Sequence, residues 1–348
     1  MKEFKRLNNI IGWAVFTIAT FVYLFTMEKT ASLWDCGEFI AGAYRLEVVH
    51  APGAPLFLLL GRFFSLFTTD VNQVAIAVNA MSALCSSFTI LFLFWTITAF
   101  GRKIYNVNGE IKGSKMRAIL GAGIVGSLAY TFSDSFWFSA AEGEVYAMSS
   151  LFTAITFWCI LKWEEEFETA RANKWLILIA YLIGLSIGVH LLSLLTIPAI
   201  GMIYYFKKNE YTHWGAAKAL IISSVILLFI QGLFIPKTAA LLGWFDKFFV
   251  NSFGMPFNSG IILFIILLTA LIIYGLKYTR ENNKPMWNTA ILSVTFLLIG
   301  YSSYATVLIR SNAETPINIG APDDAMKLSR YLQREQYGEW PVLRGQHY

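Results

Sequence analysis

SLWDCGEFIAGAYRLEVVHAPGAPL, residues 32–56, is the stretch where an otherwise apolar chain concentrates its polar chemistry. It carries the side chains Asp35, Glu38, Arg45, Glu47 and His50, followed by a Pro-Gly-Ala-Pro break. Asp35 and Glu38 are three residues apart, so in a helix both carboxylates lie on one face. We interpret the rest of the chain as a scaffold around this loop.

The composition is that of a membrane protein with several spans. Of 348 residues, 56% are hydrophobic and only 14% are charged, and the apolar runs reach spanning length. The net charge of +5 indicates no nucleic-acid binding, because the basic residues lie mostly in short loops between spans. The three cysteines show no metal-ligand spacing and predict no disulfide framework. The first apolar run follows a basic segment, as in a signal peptide, but no cleavage site of small residues follows the run. We therefore expect an uncleaved first span.

The apolar runs predict an all-α bundle of about nine transmembrane helices. Residues 175–206 contain no formal charge but are flanked by lysines and arginines at both ends, which requires an even number of crossings. We therefore predict two short helices there, with a break near 188–193. The spans are 10–26, 74–100, 118–132, 145–161, the two halves of 175–206, 219–235, 261–276 and 287–309.

The first outer loop, residues 28–73, should hold short helices that lie in the membrane interface. Residues 55–67 are nearly all apolar, yet at about 1.5 Å per residue they are too short to cross a core of about 30 Å. Pro55 suits the first turn of such a helix, where its missing N–H costs nothing. This loop and the spans form the predicted membrane module, residues 1–309.

The charges divide between the two sides of this bundle. Most Lys and Arg residues fall in the loops assigned to the inside, and most carboxylates fall outside. The outer face then gathers the side chains Asp35, Glu38, Asp134, Glu142, Glu144 and His190. It also receives a loop containing Trp244, Asp246 and Phe253, and a polar tail, residues 310–348, that would suit the beginning of a further soluble domain.

One carboxylate with nearby cations suits sugar transfer from a lipid phosphate. An acceptor hydroxyl is a weak nucleophile and needs a general base within hydrogen-bond reach. The leaving phosphate needs cations rather than a proton from an acid. Glycosidases differ in this respect, because they use two carboxyl groups, one of which protonates the leaving group. The loop of residues 32–56 supplies both kinds of group.

Three motifs carry a resemblance to a known family. SLWDCGEFIAGAYRLEVVHAPGAPLF, FWFSAAEGEVYAMSSLF and GLSIGVHLLSLLTIPAI resemble the protein O-mannosyltransferase-like membrane proteins of Bacteroidetes. That family also includes the animal transmembrane O-mannosyltransferase of the endoplasmic reticulum. The acidic loop after the first span and the short helices behind it resemble the wider GT-C superfamily of integral-membrane glycosyltransferases. The match covers nearly the whole chain.

The resemblance implies a GT-C-like fold and an inverting transfer of a sugar, with mannose the first expectation. The donor would be a polyprenyl-phosphate sugar and the acceptor a Ser or Thr hydroxyl of an exported protein, with no metal and no cofactor required. Asp35 would take the place of the acidic base, with Glu38 as its neighbour. The H-A-P-G-A-P turn at His50 stands where the O-mannosyltransferases carry an H-P-P-like turn, and departs from it in detail. Family members usually continue into a soluble domain.

Each candidate carboxylate or histidine also has a structural interpretation. Asp35 could cap a helix, a common use of Asp, and Glu38 could be an exposed acid. Of Glu142 and Glu144, which would point to different sides of a helix, we favour Glu142 for the site. His190 suits either a polar tether between helices or a phosphate contact.

The candidate phosphate partners, besides His50 and His190, are Arg45, Arg62 and Arg310. At a membrane surface, however, arginines ordinarily extend to lipid headgroups. A transporter or flippase for a lipid-linked or small anionic substrate is the alternative function, although the charges cluster in loops rather than at the midplane. A structural anchor with solvated acids is a third interpretation. The motif match favours a bacterial inner membrane, with the site facing the periplasm.

Overall fold

The computed structural model describes residues 2–105, 111–169 and 171–338. In these residues the chain is all-α, with one isolated bridge between Val48 and Asn318 as its β-structure. In chain order the helices are α1 Lys2–Thr26, α2 Cys36–Arg45, α3 Pro55–Ser65, α4 Val74–Tyr105, α5 Gly113–Thr131, α6 Asp134–Ala141, α7 Val145–Glu165, α8 Asn173–Ile187, α9 Thr196–Lys208, α10 His213–Phe229, α11 Ile235–Phe253, α12 Ser259–Glu281, α13 Pro285–Tyr301, α14 Ala305–Asn312 and α15 Ala325–Leu332.

The all-α membrane fold is confirmed, but the count of nine spans is not. Six helical segments of the described chain are long and apolar enough to cross a membrane, or seven if the pair α5 and α6, bent by 64°, forms one span. Helices α8 and α9 have 15 and 13 residues, which at about 1.5 Å per residue is shorter than a core of about 30 Å. The six are Lys2–Thr26, Val71–Tyr105, Val145–Glu165, His213–Phe253, Ser259–Glu281 and Pro285–Asn312.

The predicted break within residues 175–206 is confirmed. Helix α8 ends at Ile187, a 3₁₀ turn covers Leu191–Leu195, and α9 follows directly. Helix α8 packs closely on α13, because Gly184 and Gly300 bring the two backbones together: a Cβ at Gly184 would lie 2.3 Å from the Leu297 carbonyl oxygen. Small residues permit such close helix contacts in membranes. This contact fixes the position of the break in the bundle, and with it the position of His190.

The two short helices of the first loop form where the sequence predicts them. Helix α3 begins at Pro55 and α2 ends with Leu46 in the left-handed region, at φ 51°. Their buried faces share one apolar cluster that includes Phe39, Phe57 and Val78. Burying such side chains contributes about 1.5–3 kcal/mol each, so the loop is held on the bundle by an apolar core of its own.

The predicted outer loop around Trp244 and Asp246 is helical instead. A π-helical segment, Ile230–Phe234, joins α10 to α11, which continues to Phe253. This π-helical segment ends two residues before Pro236, and its wider turn avoids the clash between a proline ring and the carbonyl of the preceding helical turn. Asp246 is buried and accepts hydrogen bonds from the N–H groups of Asn258 and Gly260. Its carboxylate therefore caps the start of α12 and is not a loop charge.

The predicted polar tail packs on the bundle as far as Gly338; its last residues, 339–348, lie outside the described ones. Val48 pairs with the tail through its N–H to the Ile317 carbonyl and its carbonyl to the Ile319 N–H, both at 3.0 Å. Ser329 donates to the Pro236 carbonyl at 3.0 Å. The segment thus covers the first loop and forms one side of the candidate site.

Candidate active site

Asp35 stands at the start of α2 with its carboxylate free of the helix. Trp34 before it has φ 64°, and Asp35 itself takes the N-cap position without a side-chain capping hydrogen bond. The Asp35 side chain is 58% exposed. The capping interpretation of Asp35 therefore does not describe this carboxylate, which is available to a ligand.

Glu38, one helical turn further on, holds His50. Its carboxylate accepts the backbone N–H of His50 at 2.6 Å and pairs with the ring Nδ1 at 2.8 Å. The other ring nitrogen, Nε2, lies 3.9 Å from Asp35 Oδ2. The helical spacing of Asp35 and Glu38 thus places both carboxylates around one imidazole.

This pairing moves both pKa values in the direction that favours an ion pair. The hydrogen bond that the His50 ring donates to Glu38 raises the pKa of His50 against the opposing effect of burial, and the charges of Glu38 and Asp35 add to it. Burial by itself would raise the pKa of Glu38, but the hydrogen bonds from the His50 ring and backbone bring it below its usual range. His50 is therefore readily cationic, with Glu38 as its counter-ion.

Asp35, Glu38 and His50 could also hold a metal ion, since one donor atom from each lies within 4.8 Å of the others. Carboxylates of this kind suit Mg²⁺ or Mn²⁺. In the present arrangement Glu38 is engaged by two groups of His50. A metal there would have to compete with that pair.

A cavity of about 320 Å³ opens beside this cluster. The first loop, the start of α7, the break after α8 and the end of α15 each supply one wall. Its charged or ionisable lining residues are Asp35, His50, Glu144, Tyr146, His190 and Arg334, and its apolar ones include Phe39, Val145, Ile187 and Leu332.

Glu144, rather than the favoured Glu142, lines this cavity. The expectation assumed a helix, but α6 ends at Ala141 and α7 begins at Val145, so both acids lie in extended backbone between them. Glu142 is buried and accepts a hydrogen bond from Ser32 at 2.6 Å. Burial raises the pKa of Glu144 to about 7, and the charges of Asp35 and Glu142 add to the effect.

His190 lines the same cavity from the break between α8 and α9. Its Nδ1 accepts the N–H of Leu192 at 3.1 Å and its ring lies 5.2 Å from the ring of Tyr146. Burial lowers its pKa, and the charge of Arg334 lowers it further. Since Nδ1 is an acceptor, Nε2 carries the proton of the neutral ring and can donate to a ligand.

The three predicted arginines do not line the cavity. Arg62 donates to the Tyr44 carbonyl at 2.8 Å, and Arg310 donates to the Leu46 carbonyl at 2.7 Å and the Arg45 carbonyl at 3.0 Å. They satisfy the carbonyls at the C-terminal end of α2, which lack partners within the helix and carry its negative dipole end. Arg45 itself is exposed. Arg62 and Arg310 thus stabilise α2 in the position that presents Asp35.

Arg334, which the sequence did not single out, brings a cation to the cavity. It follows α15 with φ 59°, and its guanidinium stacks 4.9 Å from the centre of the Tyr337 ring. Tyr331 ties this segment down by donating its hydroxyl to the carbonyls of Val49 and His50. In the sequence Arg334 is one basic residue of a polar tail, and no local pattern marks it.

Comparison with known proteins agrees with the resemblance carried by the three sequence motifs. A family model described as "Protein O-mannosyl-transferase TMEM260 N-terminal domain" matches residues 35–213, which begin at Asp35 and include His190. Protein O-mannosyl-transferase tmem260 of Dictyostelium discoideum is 25% identical over 333 residues, covering 85% of this chain and 38% of that protein. Protein O-mannosyl-transferase TMEM260 of Mus musculus is 28% identical over 203 residues, covering 57% and 26%. The chain thus spans well under half of either relative. No solved structure matches.

Proposed function

Because the chain belongs to the family of the TMEM260 N-terminal domain, we propose that it acts as a protein O-mannosyltransferase. It would transfer mannose from a polyprenyl-phosphate donor to Ser or Thr hydroxyls of an exported protein, with inversion at the anomeric carbon. The observation that carries this proposal is the exposed carboxylate of Asp35, which lines a cavity that also holds cationic and hydrogen-bond-donating groups.

In the proposed step the acceptor oxygen attacks the anomeric carbon as the bond from that carbon to the phosphate oxygen breaks. Asp35 takes the hydroxyl proton, and the lipid phosphate leaves with the bonding electrons. A positioned carboxylate base contributes about 10²–10⁴-fold to such a reaction. A single in-line attack without a covalent intermediate inverts the configuration at the anomeric carbon.

The leaving phosphate needs positive charge, and Arg334, His50 and His190 are the proposed groups on that side. Arg334 carries a permanent charge, His50 is readily cationic beside Glu38, and neutral His190 can donate from Nε2. Arg45, Arg62 and Arg310, proposed for this role from sequence, have no contact with the cavity. Charge-assisted hydrogen bonds to phosphate are about twice as strong as neutral ones.

The proposed setting is a bacterial inner membrane with the cavity on the periplasmic side. The supporting observation is that Lys and Arg concentrate at the opposite ends of the helices, as in Arg102, Lys103 and Lys162. Both relatives compared above are eukaryotic, so this assignment rests on the charge pattern and the motif resemblance.

The test is sugar transfer by the purified protein in detergent or nanodiscs, from polyprenyl-phosphate mannose to a Ser/Thr peptide. We expect the Asp35→Asn variant to lose about 100-fold or more in kcat, with thermal unfolding unchanged, because the amide cannot accept the proton. Asp134→Asn is the matched control, since Asp134 is exposed at the start of α6 and does not line the cavity. Full activity of a well-folded Asp35→Asn protein would rule out this base.

A further inference from the structure

A second cavity, of about 340 Å³, lies at the other end of the bundle. Its walls come from the first turns of α1 and the last turns of α4 and α7, and Glu165 at the end of α7 lines it. Tyr146, in the active-site cavity, belongs to the first turn of the same 21-residue helix. At about 1.5 Å per residue the two cavities are therefore roughly 30 Å apart, and the second one is separate from the proposed active site.

Two buried polar atoms on residues lining this cavity have no hydrogen-bond partner among the described residues. They are Nε1 of Trp95 and Oδ1 of Asn8. A Cβ added at Gly12 would lie 2.8 Å from Trp95 Nε1, so the glycine allows the polar edge of the indole to pack closely on α1. Leaving a buried donor unsatisfied costs about 1–3 kcal/mol, and native proteins rarely do so without a bound partner.

The charges around the cavity favour an anionic partner for that donor. Arg102, Lys103 and Lys162 all line it, whereas Glu165 is the carboxylate among the described lining residues. Glu165 is shared, since it pairs with Arg102 at 2.9 Å and with Lys162 at 2.8 Å. Lys103 pairs with Glu164. The cavity therefore keeps a net positive charge beside an unsatisfied N–H donor.

The side of the cavity that faces outward is apolar. Trp13 lines the cavity and is 47% exposed, and Ile10 beside it is exposed as well. Both lie on α1, which is one of the candidate spans, so these side chains would contact acyl chains. Trp13 and Trp95 also contact each other, with ring centres 6.2 Å apart. Indole rings with one polar edge are typical of the membrane surface.

We propose that this cavity binds the phosphodiester headgroup of an anionic phospholipid. The phosphate accepts the Trp95 N–H and lies among Arg102, Lys103 and Lys162, while the acyl chains follow the apolar face of α1 past Trp13. A soluble phosphate would use the same cations but would gain nothing from the exposed apolar surface, which distinguishes the two sources of the same chemistry.

The test is native mass spectrometry of the purified full chain, titrated with phosphatidylglycerol, phosphatidylcholine or inorganic phosphate. Wild type should bind phosphatidylglycerol with at least several-fold preference over phosphatidylcholine, and inorganic phosphate should not compete at equal concentration. Trp95→Phe keeps an aromatic ring at this position but removes the N–H together with the five-membered ring of the indole, and should weaken phosphatidylglycerol binding about tenfold, as expected for one hydrogen bond to a charged acceptor. Trp214→Phe is the matched control because Trp214 is exposed elsewhere, on α10.

Equal binding of phosphatidylglycerol by wild type and Trp95→Phe would overturn the proposal, as would equal binding of the two lipids by wild type. Competition by inorganic phosphate at equal concentration would overturn the assignment to a lipid. Thermal unfolding of both variants in detergent is measured alongside. Since Trp95→Phe changes no charge and leaves an aromatic ring beside Trp13, it should remain folded. A second variant, Arg102→Gln, removes one of the cations and should weaken phosphatidylglycerol binding by a similar factor.

Discussion

Replacing Glu38 with Gln tests whether this carboxylate controls the ionisation of His50. The carboxylate accepts two hydrogen bonds from His50, at 2.6 Å from the backbone N–H and 2.8 Å from the ring. The amide oxygen of Gln can still accept one of them, but without the negative charge. The variant therefore loses one hydrogen bond and the charge assistance of the other.

The expected size follows from these two contacts. A neutral hydrogen bond contributes about 1 kcal/mol and a charge-assisted one about twice that. Solvent screens part of this, because the side chains of His50 and Glu38 are 27% and 22% exposed, which leaves about 1–2 kcal/mol. Of the two contacts, the ring contact depends on the protonation of His50. The pKa of His50 should therefore fall in Glu38→Gln, and the variant should lose about 1–2 kcal/mol of unfolding free energy at pH 5.5.

The sign of the effect fixes the pH range in which it is visible. Because the folded protein raises the pKa of His50, the stability from its protonation is fully present below the ordinary value of 6.5 and is lost as the pH rises through the folded value. Because the pKa of Glu38 is lowered, its contribution to stability is present above the ordinary value of 4.5 and is lost as the pH falls through the folded value. Wild type and Glu38→Gln should thus differ most in stability between about pH 4.5 and 6.5.

The assay is an NMR titration of the protein labelled in its four histidines, together with unfolding at pH 5.5 and pH 8.5. Glu142→Gln is the matched control, because Glu142 accepts a hydrogen bond from Ser32 and makes no hydrogen bond with His50. A His50 pKa that is the same in wild type and Glu38→Gln would refute the reasoning. An equal fall in Glu142→Gln would do the same, since the shift would then come from the general field of the acids.

Two further predictions concern the cavity itself. Arg334→Gln should raise the KM for the lipid-phosphate donor about tenfold, as expected for a lost charge-assisted contact. Arg330→Gln is the control, since Arg330 lies on the exposed side of α15, and should leave this KM unchanged. Both KM values are measured by donor titration in the transfer assay, and equal values would exclude Arg334 from the site. Glu144 has a pKa of about 7 in the fold against an ordinary 4.5, so the folded state becomes less stable as the pH rises through that range. Glu144→Gln should therefore gain up to about 3 kcal/mol at pH 8 and nothing at pH 4, measured by unfolding at both pH values; a pH-independent difference would contradict it.

Local pattern alone determined a large part of this protein. Hydropathy marked the membrane class and the long spans, and Pro55 marked the start of α3, because these features depend on residues near each other in the chain. The uncharged run of residues 175–206 predicted a break that stands between α8 and α9. The three-residue spacing of Asp35 and Glu38 predicted a shared helix face, and both carboxylates lie around His50.

The number of spans was less predictable, because α8, with 15 residues, is at least as apolar in sequence as α12, with 23. The continuation of α11 through Trp244 and Asp246 was also missed. A charged residue in a short polar stretch suggests a loop, whereas here the carboxylate of Asp246 is buried by capping the next helix.

The tertiary structure alone decided which groups share the cavity. Tyr331 reaches the carbonyl of Val49 from 282 positions away, and this contact brings Arg334 to a loop that nothing in the local sequence connects with it. Arg62 and Arg310, equally basic, are occupied by carbonyls at the end of α2. Sequence reveals which residues can carry charge, but the partner of each charge is set by contacts between distant segments, and for an arginine that partner determines whether it stabilises a helix or faces a substrate.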